Sequence, residues 1–132
     1  MDDSYREKIL DHYRHPRNFG TLENPDISHQ EDNPLCGDRI RLDIHLNDGV
    51  VVEVRFHGEG CDLSLASASI LTEMIRGKSL DELKAIGKNE LLNALGASLN
   101  PTRLKCALLP LKVFQGGAYG WTEWPGEGEE EW

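Results

Sequence analysis

The reactive chemistry of this 132-residue chain is concentrated in three cysteines, Cys36, Cys61 and Cys106. Two of them sit in glycine-containing turns with an aspartate close behind: Asn33-Pro34-Leu35-Cys36-Gly37-Asp38 and Gly58-Glu59-Gly60-Cys61-Asp62. An odd number of cysteines excludes a closed disulfide framework. In a reducing compartment such cysteines are free, catalytic or metal-bound. Soft thiolates select zinc, copper(I) or iron–sulfur clusters. Three thiolates and one carboxylate complete a tetrahedral zinc site, with Zn–S of about 2.3 Å and Zn–O of about 2.0–2.2 Å. Cys36, Asp38, Cys61 and Cys106 offer that set. Asp38 stands two residues from Cys36, so in an extended segment both side chains point the same way. Glycines on either side let a metal, a cluster or a partner's loop approach closely. A cysteine–histidine catalytic pair is less well supplied. The nearest histidines, His29 and His57, have no evident orienting partner, and His57 alternates outward on a strand.

A β-hairpin must bring the two turns together. Ile40, Leu42, Ile44 and Leu46 alternate with Arg41, Asp43 and His45; Val50, Val52, Val54 and Phe56 alternate with Val51, Glu53, Arg55 and His57. Asn47-Asp48-Gly49 stands between them, so the pattern predicts a hairpin with one buried face. Opposed residues share a face, which requires even positions opposite even positions. Leu46 opposite Val50 satisfies this with a three-residue loop ending in left-handed Gly49. Extended outward, that register places Asp38 opposite Gly58 and Cys36 opposite Gly60, so both cysteine turns lie at one end of the sheet.

Helices complete the frame. Tyr5 to Tyr13 reads as a short amphipathic helix stopped by Pro16, with His12 and His15 near its C-terminal end, where positive charge is favourable. A short edge strand is expected over Ile27 to Glu31. Leu63 to Arg76, slimmed by Ala66-Ser67-Ala68-Ser69 and ended by Gly77, predicts a buried helix with Cys61 just before its N-terminus. There the dipole and free backbone N–H groups favour a thiolate. Ser79-Leu80-Asp81-Glu82 is a capping box opening another short helix, and Lys88 to Leu95 is a further helix ended by Gly96. Asn100-Pro101 starts the last helix, whose buried stripe is Leu104, Leu108 and Leu111 and whose end is Gly116-Gly117. Cys106 is expected off that stripe, with Arg103 and Pro110; Pro110 cannot donate to the Cys106 carbonyl and should kink the helix.

The bulk numbers bound the function class. The net charge is −9, and five of those charges, Glu123, Glu127, Glu129, Glu130 and Glu131, fall in the last ten residues. An acidic chain without a basic stripe argues against nucleic acid and anionic membranes. No apolar run approaches the ~20 residues of a membrane span. The N-terminus lacks an apolar signal region, so cytoplasmic is the default address. One domain is expected over 1–122, followed by an acidic tail over 123–132, with loose packing from Ala118 onward.

The chain resembles the U-type iron–sulfur cluster assembly proteins: IscU, SufU and the N-terminal domain of NifU. The stretches that carry the resemblance run from about residue 5 to 115. They are Tyr13-Arg14-His15-Pro16-Arg17-Asn18, Asn33 to Asp38, Gly58-Glu59-Gly60-Cys61-Asp62-Leu63-Ser64, Ala66-Ser67-Ala68-Ser69 and Arg103-Leu104-Lys105-Cys106. It implies an α+β fold, a small antiparallel β-sheet covered by helices in a single domain, and a site of Cys36, Asp38, Cys61 and Cys106. It implies a protein that accepts persulfide sulfur from a cysteine desulfurase on Cys106 and acts as scaffold for a transient [2Fe–2S] cluster with zinc in the resting site. Downstream apo-proteins or cluster carriers are the implied recipients. The alternative is a zinc-dependent sulfurtransferase relaying sulfur to a separate scaffold; the leaning is towards scaffold and acceptor rather than enzyme. Two departures stand out. Lys105 precedes Cys106 where IscU members carry histidine, as in SufU, yet Asp62 to Lys105 lacks the insertion usual in SufU. Ala97-Ser98-Leu99-Asn100-Pro101 replaces the chaperone-recognition stretch of IscU, so dependence on a dedicated Hsp70-type chaperone is not implied.

Overall fold

The computed structural model describes residues 3–33, 37–96, 99 and 101–125. The chain order is α1 (Asp3–Arg14), β1 (Ile27–Asn33), β2 (Asp38–Asn47), β3 (Val50–Glu59), α2 (Asp62–Ile75), α3 (Leu80–Leu83), α4 (Lys88–Leu95) and α5 (Pro101–Tyr119). The strands form one antiparallel sheet in the order β1-β2-β3. α5 lies across β1 and β2, α2 across β3, and α1 and α4 pack on α2. This is the expected α+β arrangement around one core. Ile40, Leu42, Ile44, Val54 and Phe56 from the sheet meet Leu63, Leu71, Leu109, Val113 and Phe114 from α2 and α5. Burying each of these larger side chains contributes about 1.5–3 kcal/mol. Among the described residues no helix is long and apolar enough to cross a membrane.

The hairpin keeps the expected parity by a different route. Its tip is a two-residue loop, Asp48-Gly49, with φ of 53° and 77°. Positive φ at both positions is the type I′ conformation that matches strand twist, and Asp-Gly favours it. Asn47 pairs with Val50 and Leu46 with Val51, so even faces odd at the tip. A bulge then leaves Val52 without a partner, and the ladder resumes as His45↔Glu53, Ile44↔Val54, Leu42↔Phe56 and Ile40↔Gly58. Val51 is accordingly buried and Val52 45% exposed. The predicted three-residue loop and the pairing of Leu46 with Val50 are therefore corrected. The slip matters for the site. The last pair is Arg39↔Glu59, so Asp38 comes beside Gly60 and Cys61 rather than Gly58.

Most helix limits match expectation within a residue or two, and the capping box on α3 has both halves: Glu82 N–H donates to Ser79 Oγ at 3.1 Å and Ser79 N–H to Glu82 Oε1 at 2.9 Å. α5 differs. It runs through Gly116-Gly117 to Tyr119. A Cβ on Gly116 would stand 2.7 Å from His29 Nε2, and one on Gly117 2.8 Å from His29 Cβ. These glycines let the helix lie against β1 instead of ending it. From Cys106 to Gln115 every residue is buried, on all sides of the helix. Cys106 is 2% exposed, so its predicted place off the buried stripe is also corrected. Asn100 lies outside the described residues, as do residues 126–132 of the predicted tail. The loose packing expected from Ala118 does not hold as far as Pro125. Tyr119 Oη donates to Leu80 O at 2.6 Å, Trp121 stacks on Tyr119 at 4.7 Å, and Trp124 packs against the core.

Candidate metal centre

Cys61 is placed by the strand-to-helix turn. It is the N-cap residue of α2, extended at φ −76° and ψ 168°, and its own side chain caps nothing. Its backbone N–H donates to Asp38 Oδ1 at 3.0 Å. A carboxylate on β2 thus satisfies an amide at the helix entrance, where negative charge is favoured. The second oxygen, Asp38 Oδ2, lies 3.7 Å from Cys61 Sγ. Gly60 makes this approach possible: a Cβ there would stand 2.6 Å from Asp38 Oδ1 and 2.7 Å from Ser64 Oγ.

Cys106 arrives from the opposite direction, on the first half of α5. Two contacts hold that half against α2. Arg103 Nη2 lies 3.6 Å from Asp62 Oδ1, and Ser67 Oγ donates to Ala107 O at 2.6 Å. Between them, one ligand atom each from Asp38, Cys61 and Cys106 lies within 4.8 Å of the others. Asp38 and Cys106 are buried and Cys61 is half-buried. Tetrahedral bonds of about 2.3 Å to sulfur and 2.1 Å to oxygen put those two atoms about 3.6 Å apart. The 3.7 Å between Cys61 Sγ and Asp38 Oδ2 fits that edge. Two sulfurs and a carboxylate oxygen at this spacing suit zinc or another thiophilic ion. Of the four residues expected here, three come together; Cys36 lies outside the described residues.

The histidines stand apart. His29 has an orienting partner after all: Nε2 lies 2.7 Å from Glu31 Oε2, and Lys112 Nζ lies 3.2 Å from Glu31 Oε1. Glu31 is held below its ordinary pKa, since the hydrogen bonds from His29 and Lys112 outweigh the burial that pushes it up. His57 pairs across from Arg41 and lines a shallow cavity of the outer sheet face with Gln30, Arg39, Gly58 and Glu59. His12, expected to favour charge at a helix end, is instead buried with Nδ1 2.7 Å from Ser69 Oγ. Burial, followed by the charge of Arg17, pushes its pKa below 6.5. Two neighbours of the site were named in the sequence without the contacts they make. Ser64, fully buried three residues after Cys61, looked like an ordinary helix residue, although Ser and Asp spaced around a glycine-bound cysteine were a usable signal. Lys105 Nζ sits 5.1 Å above the Trp124 ring, a long-range contact with no local signal.

The sequence and the fold are similar to those of known proteins. The chain is 37% identical over 134 residues to the "Zinc-dependent sulfurtransferase SufU" of Bacillus subtilis, covering 89% of this chain and 90% of that protein. It is 40% identical over 110 residues to the "Iron-sulfur cluster assembly scaffold protein IscU" of Escherichia coli K12, covering 80% and 84%. Among solved structures, FiSufU of Fervidobacterium islandicum AW-1 superposes with a TM-score of 0.73 at 28% identity, covering 85% of this chain and 94% of that one. The family description "NifU-like N terminal domain" matches residues 4–125, and the chain belongs to that family.

Proposed function

We propose that the protein is an iron–sulfur cluster assembly scaffold that accepts sulfur from a cysteine desulfurase and builds a transient [2Fe–2S] cluster on Cys36, Asp38, Cys61 and Cys106. The observation that carries this is the convergence of Asp38, Cys61 and Cys106 within 4.8 Å, in a chain whose relatives include a protein named as such a scaffold. Zinc bound there would hold the thiolates together and deprotonated until the partner docks. The chain's own groups divide the work. Cys61 is fixed at its backbone by Asp38 Oδ1, which leaves Oδ2 as the exchangeable oxygen ligand. Cys106 is the sulfur acceptor: its thiolate attacks the outer sulfur of the desulfurase persulfide. The new S–S bond forms as the old one breaks, the desulfurase cysteine leaves as thiolate, and Cys106 keeps a persulfide.

Anaerobic incubation with a desulfurase and cysteine, read by mass spectrometry of each cysteine, tests this, followed by ferrous iron and a thiol reductant that supplies the electrons taking persulfide sulfur to sulfide, read by visible spectroscopy. The expected result is the absorption of a [2Fe–2S] centre and a sulfur adduct on Cys106, both lost in Cys106→Ser. A sulfur adduct without cluster absorption would favour the zinc-dependent sulfur relay instead. An adduct on Cys61 alone would overturn the acceptor assignment.

A further inference from the structure

The Cys61 sulfur has two side-chain oxygens beside it, each at 3.7 Å, and they differ in kind. Asp38 Oδ2 is an acceptor and a candidate ligand. Ser64 Oγ carries a proton. Ser64 is fully buried in the first turn of α2, and its hydroxyl points back to Cys61, donating at 3.2 Å to the Cys61 carbonyl. That carbonyl does not depend on it: Leu65 N–H already donates there, also at 3.2 Å. The hydroxyl therefore has a second place to turn. A neutral thiol is a weak acceptor and leaves the proton with the carbonyl. A thiolate makes a charge-assisted hydrogen bond roughly twice as strong as a neutral one. Gly60 keeps the path open, since its missing side chain is filled from both sides by Asp38 Oδ1 and Ser64 Oγ.

We propose that Ser64 is a positioning residue for the candidate metal centre, turning its hydroxyl from the Cys61 carbonyl to the Cys61 sulfur when that sulfur ligates a metal. This rests on the reading of Cys61 as a metal ligand. In metal sites a hydrogen bond to the ligand from outside the coordination shell fixes its orientation and drains charge from it. Ser64 does this for Cys61 while Asp38 provides the negative ligand opposite.

The test is cobalt(II) substitution, comparing the full-length protein with Ser64→Ala and Ser64→Thr. Alanine suits a helix interior, so the fold is retained and far-ultraviolet circular dichroism checks it. Without the donor the sulfur holds its electrons less tightly, and the thiolate-to-cobalt charge-transfer band of Ser64→Ala moves to longer wavelength. Ser64→Thr keeps the hydroxyl and returns the band towards that of the unaltered protein. A purely structural role would not move the band. If the unaltered protein shows a cobalt–thiolate band that Ser64→Ala leaves in place, the inference is overturned and the metal-site reading stands. If the unaltered protein takes up no cobalt, the metal-site reading falls and this inference falls with it.

Discussion

Cys61 and Cys106 reach the same few ångströms by opposite means. Cys61 is half-buried at the joint between a strand and a helix, held by contacts from residues close to it in sequence or in the ladder: Gly60, Ser64 and Asp38. Cys106 is buried within a helix enclosed on nearly every side, and its position follows from how the whole of α5 sits on β1 and α2. A ligand of the first kind is set by a few atoms and is fragile to small local changes. One of the second kind is set by many contacts and yields only to changes that shift the helix.

The largest effect should come from Gly60→Ala, which attacks the local bracket. The added Cβ meets Asp38 Oδ1 at 2.6 Å and Ser64 Oγ at 2.7 Å, and both are tied into the turn. Overpacking of this kind costs about 1–3 kcal/mol. Displacing groups that orient a ligand lowers metal affinity by about 10–100-fold. Zinc competition with a chelator, beside thermal melting, measures both. Zinc affinity equal to that of the unaltered protein would show that Asp38 and Ser64 are not what holds Cys61.

The same contrast explains what could be read from the residues beforehand. The Cys61 side was legible because its signals are local: glycine turns, an alternating hairpin, a helix start. Even there the register was missed. The parity argument favoured a three-residue loop over the Asp48-Gly49 tip, and the break in alternation at Val50-Val51-Val52 was the trace of the bulge. That error moved Asp38 two pairs away from its true neighbour. On the Cys106 side the leucine spacing suggested an amphipathic helix, whereas α5 is enclosed all round, and no periodicity reports such burial. Gly116-Gly117 read as a stop because glycine more often ends a helix; here they meet His29 and Ile27 on β1, a contact visible only in three dimensions.

Trp124→Ala sharpens the comparison from the enclosed side, with a middling effect. Trp124 packs on the core beneath Lys105 Nζ at 5.1 Å and Lys112 Nζ at 5.5 Å. These two lysines stand seven residues apart on α5, so the ring spans the helix face beside Cys106. Loss of one half-buried aromatic and its cation contacts should cost about 1–2 kcal/mol, a fall of several degrees in Tm. Because α5 has many other contacts, zinc affinity should change little. An unchanged Tm would restore the expectation of a loose C-terminal segment. A large loss of zinc with little change in Tm would mean that Cys106 is positioned as locally as Cys61.

The smallest effect tests whether the helix that begins at Cys61 is equally sensitive midway along its length. There Ser69 accepts from Arg17 N–H at 2.9 Å and meets His12 Nδ1 at 2.7 Å. Burial is the main cause that depresses His12 below 6.5, and the charge of Arg17 adds to it, with Lys8 a smaller contributor in the same direction. Glu73, 3.9 Å from Nε2, and Asp11 oppose the shift. Folding therefore favours neutral His12, and the unfolded chain binds the proton more readily. Stability from this group is present in full above 6.5 and is lost as pH falls from there through the lower folded value. The groups with depressed carboxyl pKa values, Asp11, Glu31 and Asp43, titrate below this window and do not confuse it. Thermal melts at about pH 7.5 and about pH 5.5 bracket the histidine range. Between them the unaltered protein should lose more Tm than His12→Asn, which has no titrating ring. Zinc should be kept out of both samples, because metal binding is itself pH-dependent through its thiolate ligands. Equal losses in the two proteins would show that His12 is solvated well enough to accept its proton in the folded state, and that this stretch of α2 tolerates a positive charge beside it.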